Sequence, residues 1–281
     1  MRICSLAFLT SLCLAATPAF AQGRGAGSAR EGDFAMVGVA IATLPDYEGS
    51  DDYAWAPAPG ATGRVSGFGF ELVGTQLSVD LIPDRGSDGL DFQAGPTVNV
   101  NLNRSSIKGI DDPRIKALGK IDTAVEVGGY FGLAKSGVIT SDYDRLAVRV
   151  SYRHDVTGTS DAGVFVPSVT YVTPLSRKAM VGTFLSASRV EKGYARTYFG
   201  VTPAGAAASG LPVYNAQGGW KDWTVGLGGM VSLTGDLTHG LQLVGGATYR
   251  KLLGDFADTP IVSVAGSRNQ WLGTLGLAYS F

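Results

Sequence analysis

The chain closes on WLGTLGLAYSF, residues 271–281, which sets Trp271, Leu275, Leu277, Tyr279 and Phe281 on one parity and Thr274, Gly276, Ala278 and Ser280 on the other. Successive side chains of a strand point to opposite faces, so this alternation predicts a β-strand with one apolar face. A strand of a soluble sheet alternates in the same way. The rest of the chain must say whether the apolar face meets a protein core or lipid.

The pattern recurs along the whole sequence. VNVNLN sets Val98, Val100 and Leu102 against Asn99, Asn101 and Asn103, and RLAVRVSYRH sets Leu146, Val148, Val150 and Tyr152 against Arg149, Ser151 and Arg153. WTVGLGGMVSL and LQLVGGATYR repeat it through Trp223 to Leu233 and Leu241 to Tyr249. With 40 glycines, 11 tyrosines, 45% hydrophobic residues and no helical stripe, the composition is that of many strands. The apolar faces mix aliphatics with Gly and Ala, aromatics gather near strand ends, and the opposite faces hold Arg, Asn and Gln. A soluble sandwich would bury a crowded core and expose Lys and Glu. The expected fold is therefore all-β, a transmembrane antiparallel up-and-down β-barrel of about twelve strands, with ten also compatible.

The twelve expected strands are 34–43, 53–61, 65–72, 76–83, 90–103, 121–134, 143–156, 162–174, 178–190, 222–234, 240–253 and 270–281. Between them the long connections 104–120, 191–221 and 254–269 fall on one side and KSGVITSD, PLSR and GDLTH on the other. That is the asymmetry of external loops and periplasmic turns, although the tight turn at Gly74 breaks it. In this register Asp80, Asn99, Asn101 and Glu126 project into the lumen, as do Arg149, Arg153, Gln242 and Arg250. Trp223, Tyr249 and Trp271 fall at the outer interface and Tyr143, Tyr171, Tyr279 and Phe281 at the inner one, the two belts of an aromatic girdle. Leu275, Leu277, Tyr279 and Phe281 resemble the C-terminal signal that the barrel-assembly machinery reads in outer-membrane barrels.

At the other end, MRICSLAFLTSLCLAATPAFAQ has a basic start at Arg2, an apolar stretch and Ala19-Phe20-Ala21 before Gln22, the layout of a secretory signal peptide. The expected organisation is a signal peptide over 1–21, a periplasmic tail over 22–33 and an outer-membrane barrel over 34–281. Both cysteines, Cys4 and Cys13, lie in the signal, which leaves the remaining 260 residues without disulfide or thiolate chemistry. Those residues hold 22 basic and 24 acidic side chains, a balance that gives no reason to expect nucleic acid. After the signal no run is long and apolar enough for a transmembrane helix.

Chemistry is sparse. SYRHDV brings Ser151, His154 and Asp155 together in sequence, but Ser151 and His154 have opposite parity, so a strand separates nucleophile from base. EGSDD and GIDDP cluster carboxylates without EF-hand spacing and read as solvated acidic loops. No enzymatic activity, no metal and no cofactor are expected. The segment 191–221, with AGAAASG in its middle, is a candidate to fold inward and fill the lumen.

Several stretches resemble one family, the MipA/OmpV outer-membrane proteins: PDYEGSDDY (45–53), ALGKIDTAVEVGGYFG (117–132), YFGVTPAGAAASGLPVYNAQGG (198–219), LLGDFADTPIV (252–262), GSRNQ (266–270) and the terminal LGLAYSF. YAWAPAPGATGRVSGF (53–68) departs from it, being richer in Ala and Gly than the family's aromatic second hairpin. The resemblance implies a non-enzymatic scaffold or accessory protein in the bacterial outer membrane, bridging a murein lytic transglycosylase and a bifunctional penicillin-binding protein. Lipid and lipopolysaccharide would surround it. A small-solute channel and a surface adhesin are the alternatives, the first favoured by the polar lumen and the second by the long outward loops.

Overall fold

The structure, a computed structural model, describes residues 33–83 and 89–281, so the expected signal peptide (1–21) and all of the tail (22–33) except Asp33 lie outside the described residues. Twelve strands follow in order: β1 (Phe34–Pro45), β2 (Tyr53–Val65), β3 (Phe68–Val73), β4 (Gln76–Asp80), β5 (Asp91–Asn101), β6 (Ala124–Ser136), β7 (Arg145–Asp155), β8 (Gly163–Pro174), β9 (Ala179–Val190), β10 (Gly219–Ser232), β11 (Gly240–Leu252) and β12 (Asn269–Ser280). Each pairs antiparallel with its neighbours in sequence, and β12 returns to β1 to close the barrel. The seam runs from Met36 opposite Ser280 to Thr43 opposite Gly273, with the Phe281 amide donating to the Ala35 carbonyl. Closure joins the first strand to the last, as hydrocarbon demands, where an unpaired amide has no water to turn to.

Alternation divides the wall into two surfaces. On β12, Leu275, Leu277, Tyr279 and Phe281 are exposed on the outside while Leu272, Ala278 and Ser280 are buried inside. Val37, Val39 and Ile41 of β1 and Val148, Val150 and Tyr152 of β7 continue the exposed apolar band. Ten strands run to 11–14 residues, enough to cross a bilayer at the usual barrel tilt. The other two, β3 and β4, have 6 and 5 residues and lower the wall on one side.

That low stretch explains YAWAPAPGATGRV. Pairing of β2 with β3 begins only at Gly60, opposite Val73, so residues 53–59 have β1 alone as a neighbour. The Pro59 carbonyl accepts from Gly74 on the β3 side, and a residue's amide points the same way as its carbonyl. The donors absent at Pro57 and Pro59 are therefore the ones that would face the missing partner. β2 extends to Val65, past its expected end at residue 61, and Ser66-Gly67, both at positive φ, turn it into β3.

The connections 66–67, 137–144, 175–178 and 233–239 lie at one rim. The long connections 102–123, 191–218 and 253–268 lie at the other, with 46–52, 156–162 and the tight turn at Gly74, and fold into five short helices: α1 (Pro113–Ala117), α2 (Lys192–Phe199), α3 (Pro203–Ser209), α4 (Gly254–Asp258) and α5 (Pro260–Ser263). They share a core of their own, in which Tyr198, Phe199, Phe256 and Val262 pack with Leu252 and Val190 at the strand ends. A second group joins Tyr47, Ile110, Ile115, Val201, Leu211 and Ile261. Phe199 and Phe256 meet edge to face at 5.1 Å.

Close packing of the wall depends on glycine where an aromatic crosses it. Gly226 lies directly opposite Phe184 in the β9–β10 pair, and a Cβ at 226 would fall 2.0 Å from the Phe184 ring. Gly60 has only a carbonyl at 3.7 Å in the same test. Gly226→Ala should cost about 1–3 kcal/mol through overpacking and lower the fraction that migrates as folded barrel on an unboiled detergent gel. Gly60→Ala should leave that fraction unchanged.

Candidate functional site

Three loops from different sides of the barrel meet at one carboxylate. Glu48, in the β1–β2 loop, is buried, and its carboxylate pairs with Lys221 and with Arg250 at 3.6 Å while accepting the Tyr194 hydroxyl at 3.0 Å. Its amide donates to the Asn103 side chain from the β5–β6 loop at 3.1 Å. Lys221 starts β10, Arg250 ends β11 and Tyr194 belongs to α2, so Glu48 ties these elements together over the mouth of the barrel. Burial opposes its ionisation, but the Lys221 and Arg250 charges with the Lys221 and Tyr194 hydrogen bonds outweigh it and hold the carboxyl below its usual range. Beside it Gln270 of β12 donates to the Ser50 carbonyl at 2.8 Å, and the Tyr47 hydroxyl bonds the Ile261 and Ala265 carbonyls. Gly49, at φ +103°, lets the loop turn where a Cβ would strike Val262 at 2.5 Å.

In the acidic stretches expected as solvated loops, Asp51, Asp52 and Asp111 are exposed, while Glu48 of EGSDD belongs to this seal. Asp46, just ahead of EGSDD, accepts the Asp111 amide of GIDDP at 3.1 Å, and Asp112 caps α1 by accepting from Arg114. Within the segment 191–221 the inward part is α2, whose Tyr194 and Tyr198 are buried with their rings 4.6 Å apart, whereas α3, which carries the Ala-rich run, buries none of its residues. Arg104, 5% exposed, donates to the Tyr198 carbonyl at 3.5 Å, its sole acceptor among the described residues, and burial pulls its pKa down to about 10.

Inside the wall the expected lumen residues fall into separate groups. Asn99 and Asn101 each donate to Glu126 at 3.0 Å, and Arg153 pairs with the same carboxylate at 3.2 Å. Arg149 lies 3.2 Å from Glu71, a residue of β3, four places away around the barrel, and stacks on the Tyr130 ring at 3.9 Å. An ion pair between such distant strands crosses the interior. Asp80 accepts the Ile82 and Ala94 amides at the foot of the same space. On the far wall Gln242 donates to Ser280 at 2.8 Å, while Arg250 belongs to the Glu48 seal.

Two cavities lie along the β7 arginines. One opens at the short-turn rim between Gly67, Ile82, Asp91 and Arg145, and the other lies deeper among Glu126, Ser151, Arg153 and Ser186, under Tyr194 and Lys221. Both touch Glu71, Ser78 and Arg149, so the Arg149–Glu71 pair stands between them. The opposite side of the lumen is smooth, with a slot lined by Gly38, Ala40, Ala58, Gly60 and Gly246. His154 shares neither space. Its Nε2 faces Asp161 at 3.4 Å, while Asp155 binds the 157–161 turn, so the SYRHDV side chains do not converge.

The family profile described as MltA-interacting protein MipA matches residues 37–281. The chain belongs to the MipA family. No curated protein matches the sequence. Among solved structures, OmpT of Vibrio cholerae is similar at 9% identity with a TM-score of 0.39, over 89% of this chain and 97% of that one. The Pseudomonas putida toluene transporter TodX gives 9% identity and 0.36, over 90% of this chain and 89% of that one, and the CymD monoaromatic hydrocarbon channel 10% and 0.38, over 90% and 89%. A closed barrel with MipA membership places the protein in the bacterial outer membrane.

In this MipA-family barrel the aromatic belts stand as follows. Trp223, Tyr249 and Trp271 sit side by side near the long-loop ends of β10, β11 and β12, with ring centroids 5.4 and 4.8 Å apart. Tyr279 and Phe281 stack at 4.9 Å near the other rim, where Tyr143 is exposed and Tyr171 donates to Asp144 at 2.9 Å. Asp144 organises that turn, accepting the amides of Val138, Ile139, Thr140 and Ser141. Burial would raise its pKa, but the Thr140, Val138 and Ile139 amides and the Tyr171 hydroxyl hold it well below the usual carboxylate range.

Glu71, Asp91, Arg145, Lys221, Tyr194 and Glu48 complete the interior and were not among the residues expected there. A register shift between Trp220 and Asp222 turns both Lys221 and Asp222 inward, which strict alternation cannot anticipate. The only sequence signal was the charge pair in GWKDW at the head of a strand.

Glu48→Ala leaves Lys221 and Arg250 buried against a cavity and should destabilise the folded barrel by about 3–5 kcal/mol, read as a lower temperature of loss of heat-modifiable migration. Asp144, with its lowered folded pKa, contributes stability above the unfolded value of about 3.9 and loses it only as pH falls through the folded one. Down to about pH 4 the wild-type 137–144 turn should therefore resist protease, and Asp144→Ala should be cleaved there at neutral pH.

Proposed function

We propose that this protein is a non-conducting outer-membrane anchor that presents its short-turn rim to peptidoglycan-remodelling enzymes. A lytic transglycosylase is the first partner, as the family description suggests, and a bifunctional peptidoglycan synthase the second. The convergence of three loops on Glu48 supports this reading, because a closed mouth suits an anchor and not a pore. The rim offers Ile139, Tyr143 and Leu175 as exposed apolar tips, with Arg177 and Lys178 beside them. It is small against a standard interface of about 800 Å² per partner, which fits a transient assembly. The protein has no catalytic step of its own on this reading.

The polar cavities along β7 favour a second reading, a small-solute channel whose loops open. Planar-bilayer recording separates the two. The wild-type barrel should be silent across voltages, and Glu48→Ala, which unties the loops, should show openings. An immobilised wild-type barrel should retain a purified lytic transglycosylase, and Ile139→Asp with Leu175→Asp should weaken that retention at least tenfold. Steady wild-type conductance, or retention indifferent to the rim, would overturn the anchor reading.

A further inference from the structure

Strand β7 places Arg145, Arg149 and Arg153 on the inner face at four-residue steps, from the short-turn rim toward the seal. Each pairs with an acid on a different strand: Arg145 with Asp91 of β5, Arg149 with Glu71 of β3 and Arg153 with Glu126 of β6. The pairing is incomplete at the first two. The Nε atoms of Arg145 and Arg149 are buried and meet no acceptor among the described residues, whereas the Arg153 Nε is the atom that bonds Glu126. Arg145 is more than nine-tenths buried, and both arginines line the cavity that opens at the rim. A guanidinium N–H withheld from water and from protein costs free energy that an incoming acceptor would recover.

The deeper cavity has a different lining. Ser151, Ser168, Thr170, Ser186 and Ser188 line it from β7, β8 and β9 between Val164 and Val166, with Tyr194 beside them. The two spaces measure about 90 and 70 Å³, together room for about five waters. Because Glu71, Asp80, Asp91 and Glu126 face the same spaces as the bases, the lumen has no strong excess of positive charge. It is unsuited to a polyanion and suited to a small solute with one acceptor-rich group and many hydroxyls.

We propose that the lumen is a binding cup for a hydroxyl-rich monoanion of sugar-acid type, entered from the short-turn rim. Its carboxylate accepts from the Nε–H of Arg149 once that side chain turns it into the cavity, and its hydroxyls exchange hydrogen bonds in the chamber beyond the Arg149–Glu71 pair. The cup goes beyond the anchor reading and depends on the closed mouth only for its blind end.

Titration calorimetry on the full-length barrel, purified from outer membranes into phosphatidylcholine nanodiscs, tests it with sodium gluconate as probe. Gluconate should bind saturably, glucose and acetate at least tenfold more weakly. Arg149→Lys keeps a charge for Glu71 but removes the Nε donor, and should weaken gluconate at least tenfold with folded migration on an unboiled gel intact. Ser186→Leu, which fills the chamber without touching an ion pair, should do the same. Absence of saturable binding, or equal affinity in wild type and both variants, would overturn the proposal. Binding is read at equilibrium, independent of conductance: a conducting barrel that holds gluconate sinks the closed mouth alone, and a silent one that does not hold it sinks the cup alone.

Discussion

Every feature of this molecule depends on the pairing of β1 with β12. In hydrocarbon an exposed amide or carbonyl has no water to accept it, so a sheet crosses a membrane only as a closed cylinder. The Met36–Ser280 register makes that closure, and once it is made the side-chain period of two sorts the sequence into an outside and an inside. The outside is selected for lipid solubility alone, which is why Val, Leu, Ile and Gly alternate there with little regard to shape.

The inside answers to a different constraint. Water reaches it in places, but much of it is protein, where a lone charge is expensive and a paired one tolerable. Acids and bases accordingly meet inside the bore: Arg149 with Glu71, Arg153 with Glu126, and Lys221 and Arg250 with Glu48. The Arg149–Glu71 pair and the Glu48 seal join parts of the wall that are not neighbours in the sheet and so brace the cylinder from within, while Arg153–Glu126 joins the adjacent strands β7 and β6. The opposite wall has Gly38, Ala40, Gly60 and Gly246, which contribute no bracing and leave room. A bore rigid on one side and bare on the other is well suited to holding a guest against the rigid side.

The barrel was legible in the sequence because its cause is periodic. All twelve strands lie within a few residues of where alternation put them, and the largest discrepancy, the length of β2, falls at the Ala- and Gly-rich stretch with the weakest apolar rhythm. The seal was not legible, because its cause is tertiary. Nothing local distinguishes Glu48 from its acidic neighbours Asp51 and Asp52, and only the fold brings Lys221 and Arg250 to it. The inward phase of Lys221 depends on a single extra residue in β10, invisible to any parity count. The stretches that resemble MipA/OmpV most, around Tyr47, Tyr198, Phe256 and Gln270, are the ones packed over the mouth. Likeness of text there reports likeness of packing and does not by itself report a partner.

The short β3–β4 hairpin exposes the upper half of β2 as a free flank. An exposed flank of this kind is a template on which a second copy could add its own strand, and then a third. Pro57 and Pro59 stand where the offered hydrogens would have been, so a visiting strand would find carbonyls and no donors at those positions. The stretch that departs most from the expected aromatic hairpin thereby withholds two of the donors on which side-to-side pairing between cylinders would draw.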